Sequence, residues 1–192
     1  MLSILLIRTG STEYDCQGRV QGTLDVPLSE DGRQQIEQVA EQLADHEIDA
    51  LYAGPCGATQ QSANILAKRL HLKVKTIDGL SNLDHGLWQG MLIDDVKIKQ
   101  PKVYRQWQDH PETVCPPGGE TLSTVRDRLQ QWLAKIAKKH KTGTIAMVVD
   151  QPLARLSRNI LRDDALGNLW CVQGEDLPRW ELIEVATEAV SP

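Results

Sequence analysis

The chain opens Met1-Leu2-Ser3-Ile4-Leu5-Leu6-Ile7 and then turns polar at Arg8-Thr9-Gly10-Ser11-Thr12. The apolar run has no basic residues before it and no small-residue cleavage site after it. It is too short for a signal-peptide core and far too short to cross a bilayer. The run therefore predicts a buried strand that delivers Arg8 and Thr9 to a Gly- and Asp-rich loop over 10–28. A second run of this kind, Thr144 to Val149, carries no charge until Asp150.

Between and beyond these strands the pattern alternates. Ser29 reads as the N-cap of a helix over 30–46, with Ile36, Val39, Ala40 and Leu43 on one face. Ile48 to Tyr52 predicts a strand, 57–70 a helix, and Leu72 to Ile77 a third strand. The region 84–118 reads as an excursion with short helices over 93–99 and 101–108. A long helix over 120–140 carries the stripe Leu122, Val125, Leu129, Trp132, Leu133 and Ile136, and its basic residues read as a solvated face. A helix over 152–161 follows, then closing strands at Leu169–Gln173 and Trp180–Val185, a pair that could form a hairpin. Strands alternating with helices argue for an α/β fold: a three-layer α/β/α sandwich around a mostly parallel central sheet. In such sheets functional groups gather where strands end and helices begin, which here means Arg8 onward and Asp150 onward.

With 192 residues, 41% hydrophobic and 24% charged, the chain suits one domain spanning 1–192. A net charge of -5 gives no electrostatic reason to expect a nucleic acid or an anionic membrane as partner. Cys16, Cys56, Cys115 and Cys171 show no C-x-x-C spacing. They are expected to be free thiols in a reducing cytoplasm, with no metal site and no cofactor.

Several motifs then fall in order. They are Leu6-Ile7-Arg8-Thr9-Gly10-Ser11-Thr12; Gly18-Arg19-Val20-Gln21-Gly22; Asp25-Val26-Pro27-Leu28 with Gly32; Tyr52-Ala53-Gly54-Pro55 with Gln61-Ser62-Ala63; Gly86-Leu87-Trp88-Gln89-Gly90; Pro116-Pro117-Gly118-Gly119-Glu120; and Val148-Val149 with Arg155. Together they resemble the histidine phosphatase (phosphoglycerate-mutase-like) superfamily over residues 2–156. The resemblance implies a metal-free chemistry. One histidine attacks phosphorus, two arginines and a second histidine hold the phosphoryl oxygens, and a carboxylic acid protonates the leaving group.

Carried over position by position, that machinery is largely missing. The first arginine is Arg8. The nucleophilic histidine position holds Thr9, the second arginine position Ala58, the acid position Asn82, and the second histidine position Asp150. Asp15 stands where the family often has asparagine. The resemblance thus implies a catalytically inactive relative, a pseudoenzyme acting as a binding or assembly module, with Arg8, Asp15, Gln21, His85 and Asp150 as candidate binding residues. Two alternatives stay open: a phosphatase or other hydrolase with an altered site, and a purely structural oligomer subunit. The partner is expected to be a protein or small molecule, and a homo-oligomer is left open.

Three structural expectations follow. Arg8 and Asp150 should form an ion pair. Asp150, taken at an ordinary pKa near ~4, should be too weak a base to activate Thr9. Trp88, Trp107 and the Pro116–Glu120 turn should roof the cleft. An Asp carboxylate ~5 Å from a phosphate would also repel it by roughly 3 kcal/mol at an effective dielectric of about 20.

Overall fold

The computed structural model describes residues 1–167, 169–170 and 178–185. Its strands are β1 (Leu2–Arg8), β2 (Ala50–Ala53), β3 (Val74–Thr76), β4 (Gly143–Val149) and β5 (Trp180–Glu184). They form one sheet in the order β3-β2-β4-β1-β5. The first four run parallel, and β5 pairs antiparallel with β1 at the edge.

The strands read as continuous apolar runs because helices cover both faces of the sheet. Alternate residues divide between the two. Leu5, Ile7, Leu51, Ala53, Ala146 and Val148 pack with Ile36, Val39 and Leu43 of α2 (Glu30–Gln42 plus its cap) and Ala63 and Leu66 of α3 (Gly57–Leu70). Ile4, Leu6, Ala50, Tyr52, Ile145, Met147 and Val149 pack with the α6 stripe (Leu122–Lys139) and with Leu153, Leu156 and Leu161 of α7 (Gln151–Arg162). This is the three-layer α/β/α arrangement expected from the sequence.

The differences have local causes. The loop over 10–28 contains a helix, α1 (Glu13–Cys16), started by a reciprocal cap between Thr12 and Asp15. Four residues are too few to show a helical period. The helix after Ser29 stops at Gln42, and β3 keeps only three residues. Leu169 and Trp170 lie in a turn, and the rest of the strand expected at 169–173 falls outside the described residues. β5 finds its partner in β1, with Ile7 opposite Trp180 and Ile4 opposite Ile183.

The excursion contains α4 (Ile93–Lys99) and α5 (Pro101–Asp109). Its tryptophans do not roof the cleft. Trp88 and Trp107 are 2% and 1% exposed and belong to the same core as α6 and α7. They pack against Trp170 at centroid distances of 5.3 and 5.2 Å, so they stand behind the cleft wall. Large rings bury more surface there than they could over an open cleft. The Pro116–Glu120 turn instead clamps the 86–88 turn, with Leu87 N donating to Pro117 O and Glu120 N to Asp84 O.

One close approach fixes the loop after β1. A Cβ on Gly10 would lie 2.2 Å from Gly32 O, and one on Gly32 would lie 2.0 Å from Ser11 O. Backbone is the obstacle in both cases, so neither can yield by a rotamer change. Gly32→Ala should therefore cost about 3 kcal/mol or more, roughly a 10 °C fall in Tm. Gly18→Ala, where a Cβ meets nothing within 4 Å, should cost only the strain of its positive φ, about 1 kcal/mol. Thermal unfolding of the two variants checks the difference.

Candidate functional site

Parallel pairing of β1 with β4 places Arg8 opposite Val149. Thr9 N then donates to Val149 O at 3.0 Å, so Thr9 and Asp150 leave the sheet side by side. They open into a cavity of about 400 Å³ that also receives Arg8, Asp15, Gln21, Asn82 and His85. Of the positions singled out from the sequence, only Ala58 stays outside the lining, fully buried in the first turn of α3.

Arg8 and Asp150 are neighbours, but the expected ion pair does not form. Arg8 Nε donates to Pro178 O at 3.0 Å, and its terminal nitrogen donates to Gln151 Oε1. Thr59 Oγ1, on α3, donates to Asp150 Oδ2 at 3.1 Å. Asp150 stands at the N-cap of α7 yet makes no side-chain capping bond. Burial pushes its carboxyl up to about 7, the charge of Asp15 adds to the rise, and the Thr59 bond opposes it. The ordinary value assumed from sequence is therefore corrected. A buried carboxyl loses hydration that the Thr59 hydroxyl and its own backbone amide do not replace.

Asp15 accepts from both the amide and the hydroxyl of Thr12, and burial raises its carboxyl too. Gln21 accepts from the same hydroxyl. Asn82 is committed to its own loop, since Nδ2 donates to Gly22 O and Oδ1 accepts from Leu83 N. His85 is 2% exposed between Trp107 and Trp170. Its Nε2 accepts from the Trp170 indole at 3.3 Å, and burial pulls its pKa down to about 3. The ring is neutral, and the lone pair needed to attack phosphorus faces an indole N–H. The Thr9 hydroxyl has no hydrogen-bonded base among the described residues, and Arg179 donates to the Thr9 carbonyl at 2.8 Å.

Sequence reasoning missed Arg179, Trp170, Gln151 and Arg19 as lining residues. Arg19 lay inside a quoted motif, and Gln151 is adjacent to Asp150. Nothing in the pattern around Trp170 or Arg179 marks them, because the return of the chain past β1 brings them in. Among the described residues no group of three His, Cys, Asp or Glu could hold a metal ion, and no helix is long and apolar enough to cross a membrane. Cys16, Cys56 and Cys115 are free thiols.

The model of the histidine phosphatase superfamily (branch 1) matches residues 4–188. The chain belongs to this superfamily. It is 34% identical over 148 residues to phosphoserine phosphatase 1 of Hydrogenobacter thermophilus, covering 77% of this chain and 70% of that one. It is 32% identical over 148 residues to phosphoglycerate mutase-like protein 4 of Arabidopsis thaliana, covering 76% and 64%. Among solved structures, mycobacterial glucosyl-3-phosphoglycerate phosphatase superposes with a TM-score of 0.77 at 25% identity, over 88% of this chain and 82% of that chain. Bacillus stearothermophilus YhfR gives 0.85 at 23% identity, over 97% and 93%. Named phosphatases thus surround this histidine-phosphatase-fold chain, whose two strand ends carry Thr9 and Asp150.

Asp150 and His85 should leave opposite marks on stability. Folded Asp150 keeps its proton up to about pH 7, whereas an unfolded aspartate loses it near ~4. The stabilisation from the protonated form is therefore complete below ~4 and lost as pH rises to 7. His85 stays neutral in the fold down to about 3, while the unfolded imidazole is charged below ~6.5, so its contribution is lost as pH falls through that window. Asp150→Asn removes only the first effect. Its stability gain over the natural protein should be larger at pH 8 than at pH 5 by about 2–3 kcal/mol, or roughly 5–10 °C in Tm. A gain independent of pH would show that Asp150 titrates normally.

Proposed function

We propose that this chain is a non-catalytic member of the histidine phosphatase superfamily, a pseudoenzyme that binds through its cleft without transferring a phosphoryl group. The observation that carries the reading is the pair Thr9 and Asp150 at the paired ends of β1 and β4, where the family resemblance calls for two imidazoles. An alcohol without a base is a poor nucleophile, and a carboxyl offers no stable phosphoryl carrier without a metal. Arg8 is engaged with Pro178 and Gln151, and Asn82 with its loop. The partner is a small molecule or a protein, not nucleic acid or a membrane surface. The free thiols support a reducing cytoplasmic setting.

One observation favours a second reading. A carboxyl near 7 lies in the range where a general base works at neutral pH, so Asp150 could activate water in an altered hydrolase. The structural-subunit reading has less support, since Met1, Leu87, Ile98 and Leu182, the large apolar residues exposed among those described, fall on separate elements.

Steady-state assays with an aryl phosphate, phosphoserine and sugar phosphates decide between the first two. The non-catalytic reading expects no turnover above Arg8→Ala, and activity only after Thr9→His, Ala58→Arg, Asn82→Glu and Asp150→His are combined. Turnover by the natural protein that rises through a midpoint near 7 and disappears in Asp150→Asn would establish the hydrolase instead.

A further inference from the structure

Asp15 lines the cleft together with Arg8 and Arg179. Its Oδ2 accepts from the Thr12 amide at 2.7 Å and from the Thr12 hydroxyl at 2.9 Å. These bonds form the reciprocal cap of α1. Such a cap needs an acceptor oxygen but no charge, since an amide side chain serves it as well as a carboxylate. Burial works against the charged form of Asp15, while the Thr12 bonds and the guanidinium of Arg179 favour it. Asp15 acts on Arg179 in return. The charge is surplus to the cap, and it is kept against burial by Thr12 and Arg179.

Asp150, the other acid in the lining, supplies no comparable charge. It holds its proton up to about 7, so below that the standing negative charge of the cleft is that of Asp15. The loop after β1 spends its amides on the protein's own oxygens. Gly10 N donates to Ser62 Oγ at 3.2 Å, and Ser11 N donates to Gln35 Oε1 at 3.1 Å. An oxyanion in the cleft would therefore have to be held by the guanidinium groups that line it. It would meet the Asp15 carboxylate among them. Like charges repel strongly where little water separates them, and a site rejects a ligand by an opposing charge as well as by withheld contacts.

We propose that Asp15 determines the specificity of the cleft: its carboxylate, fixed by Thr12 within the field of Arg179, excludes free oxyanions. The proposal rests on the non-catalytic reading and names what that same site rejects.

Isothermal titration of the full chain with sodium sulfate at pH 6 and constant ionic strength tests it. Sulfate does not titrate there, and Asp150 is largely protonated. The natural protein should bind sulfate no more tightly than about 10 mM. Asp15→Asn keeps an oxygen for Thr12 and removes the charge, and it should bind sulfate about tenfold more tightly or better. Should that variant fail to fold, Asp15→Ala must show the gain. Adding Arg179→Gln to Asp15→Asn should abolish the gain, which places the anion in the cleft and not elsewhere on the surface. A gain of less than about tenfold, sulfate binding by the natural protein as tight as by the variant, or a gain that survives Arg179→Gln would each overturn the assignment. The assay for phosphate-ester turnover separates the two claims. Turnover by the natural protein removes the non-catalytic reading, whereas a missing sulfate gain without turnover removes only the role of Asp15.

Discussion

The cleft depends on the parallel pairing of β1 with β4. Seven residues of each strand lie in register, ending with Arg8 opposite Val149, and both strands are covered on both faces. Slipping the register by one residue would turn every buried side chain to the wrong layer. The ends of these two strands are therefore fixed to within the precision of the core. Whatever residues follow them, here Thr9 and Asp150, must share one small space.

That constraint explains why one substitution alters the site so strongly. A residue after β4 has no choice about burial, since it is surrounded by β1, the first turn of α3 and the start of α7. An imidazole could be neutral there at little cost. A carboxyl must give up hydration and receives one hydroxyl donor, so it takes up a proton near neutrality. Arg8 is drawn to the carbonyl of Pro178 and to Gln151 instead of answering that charge. The result is a cleft lined by carboxyls and guanidinium groups together, with Arg179 acting on Asp15, unlike the arginine- and histidine-lined site that the family pattern implies.

Much of the fold was legible in the sequence because it rests on period and punctuation. The α3 boundaries at 57 and 70, the Ser29 cap of α2 and the apolar stripe of α6 all follow from local chemistry. The motif order likewise placed Thr9, Asn82 and Asp150 around one cavity. What could not be read were consequences of tertiary contact. The exchange of the Arg8–Asp150 pair for Gln151 and Pro178, the packing of Trp88 and Trp107 behind the wall, and the entry of Trp170 and Arg179 all depend on where distant segments return. The protonation of Asp150 belongs to this class too, since it is set by burial and by Asp15 and not by neighbours in sequence.

The measurement that bears most directly on this account is a ¹³C NMR titration of the Asp150 side-chain carboxyl, assigned by its absence in Asp150→Asn. The buried carboxyl described here should titrate with a midpoint near 7. A midpoint near ~4, the ordinary value for aspartate, would contradict it, because it would mean that the carboxyl is solvated or ion-paired and that the cleft is not the one described.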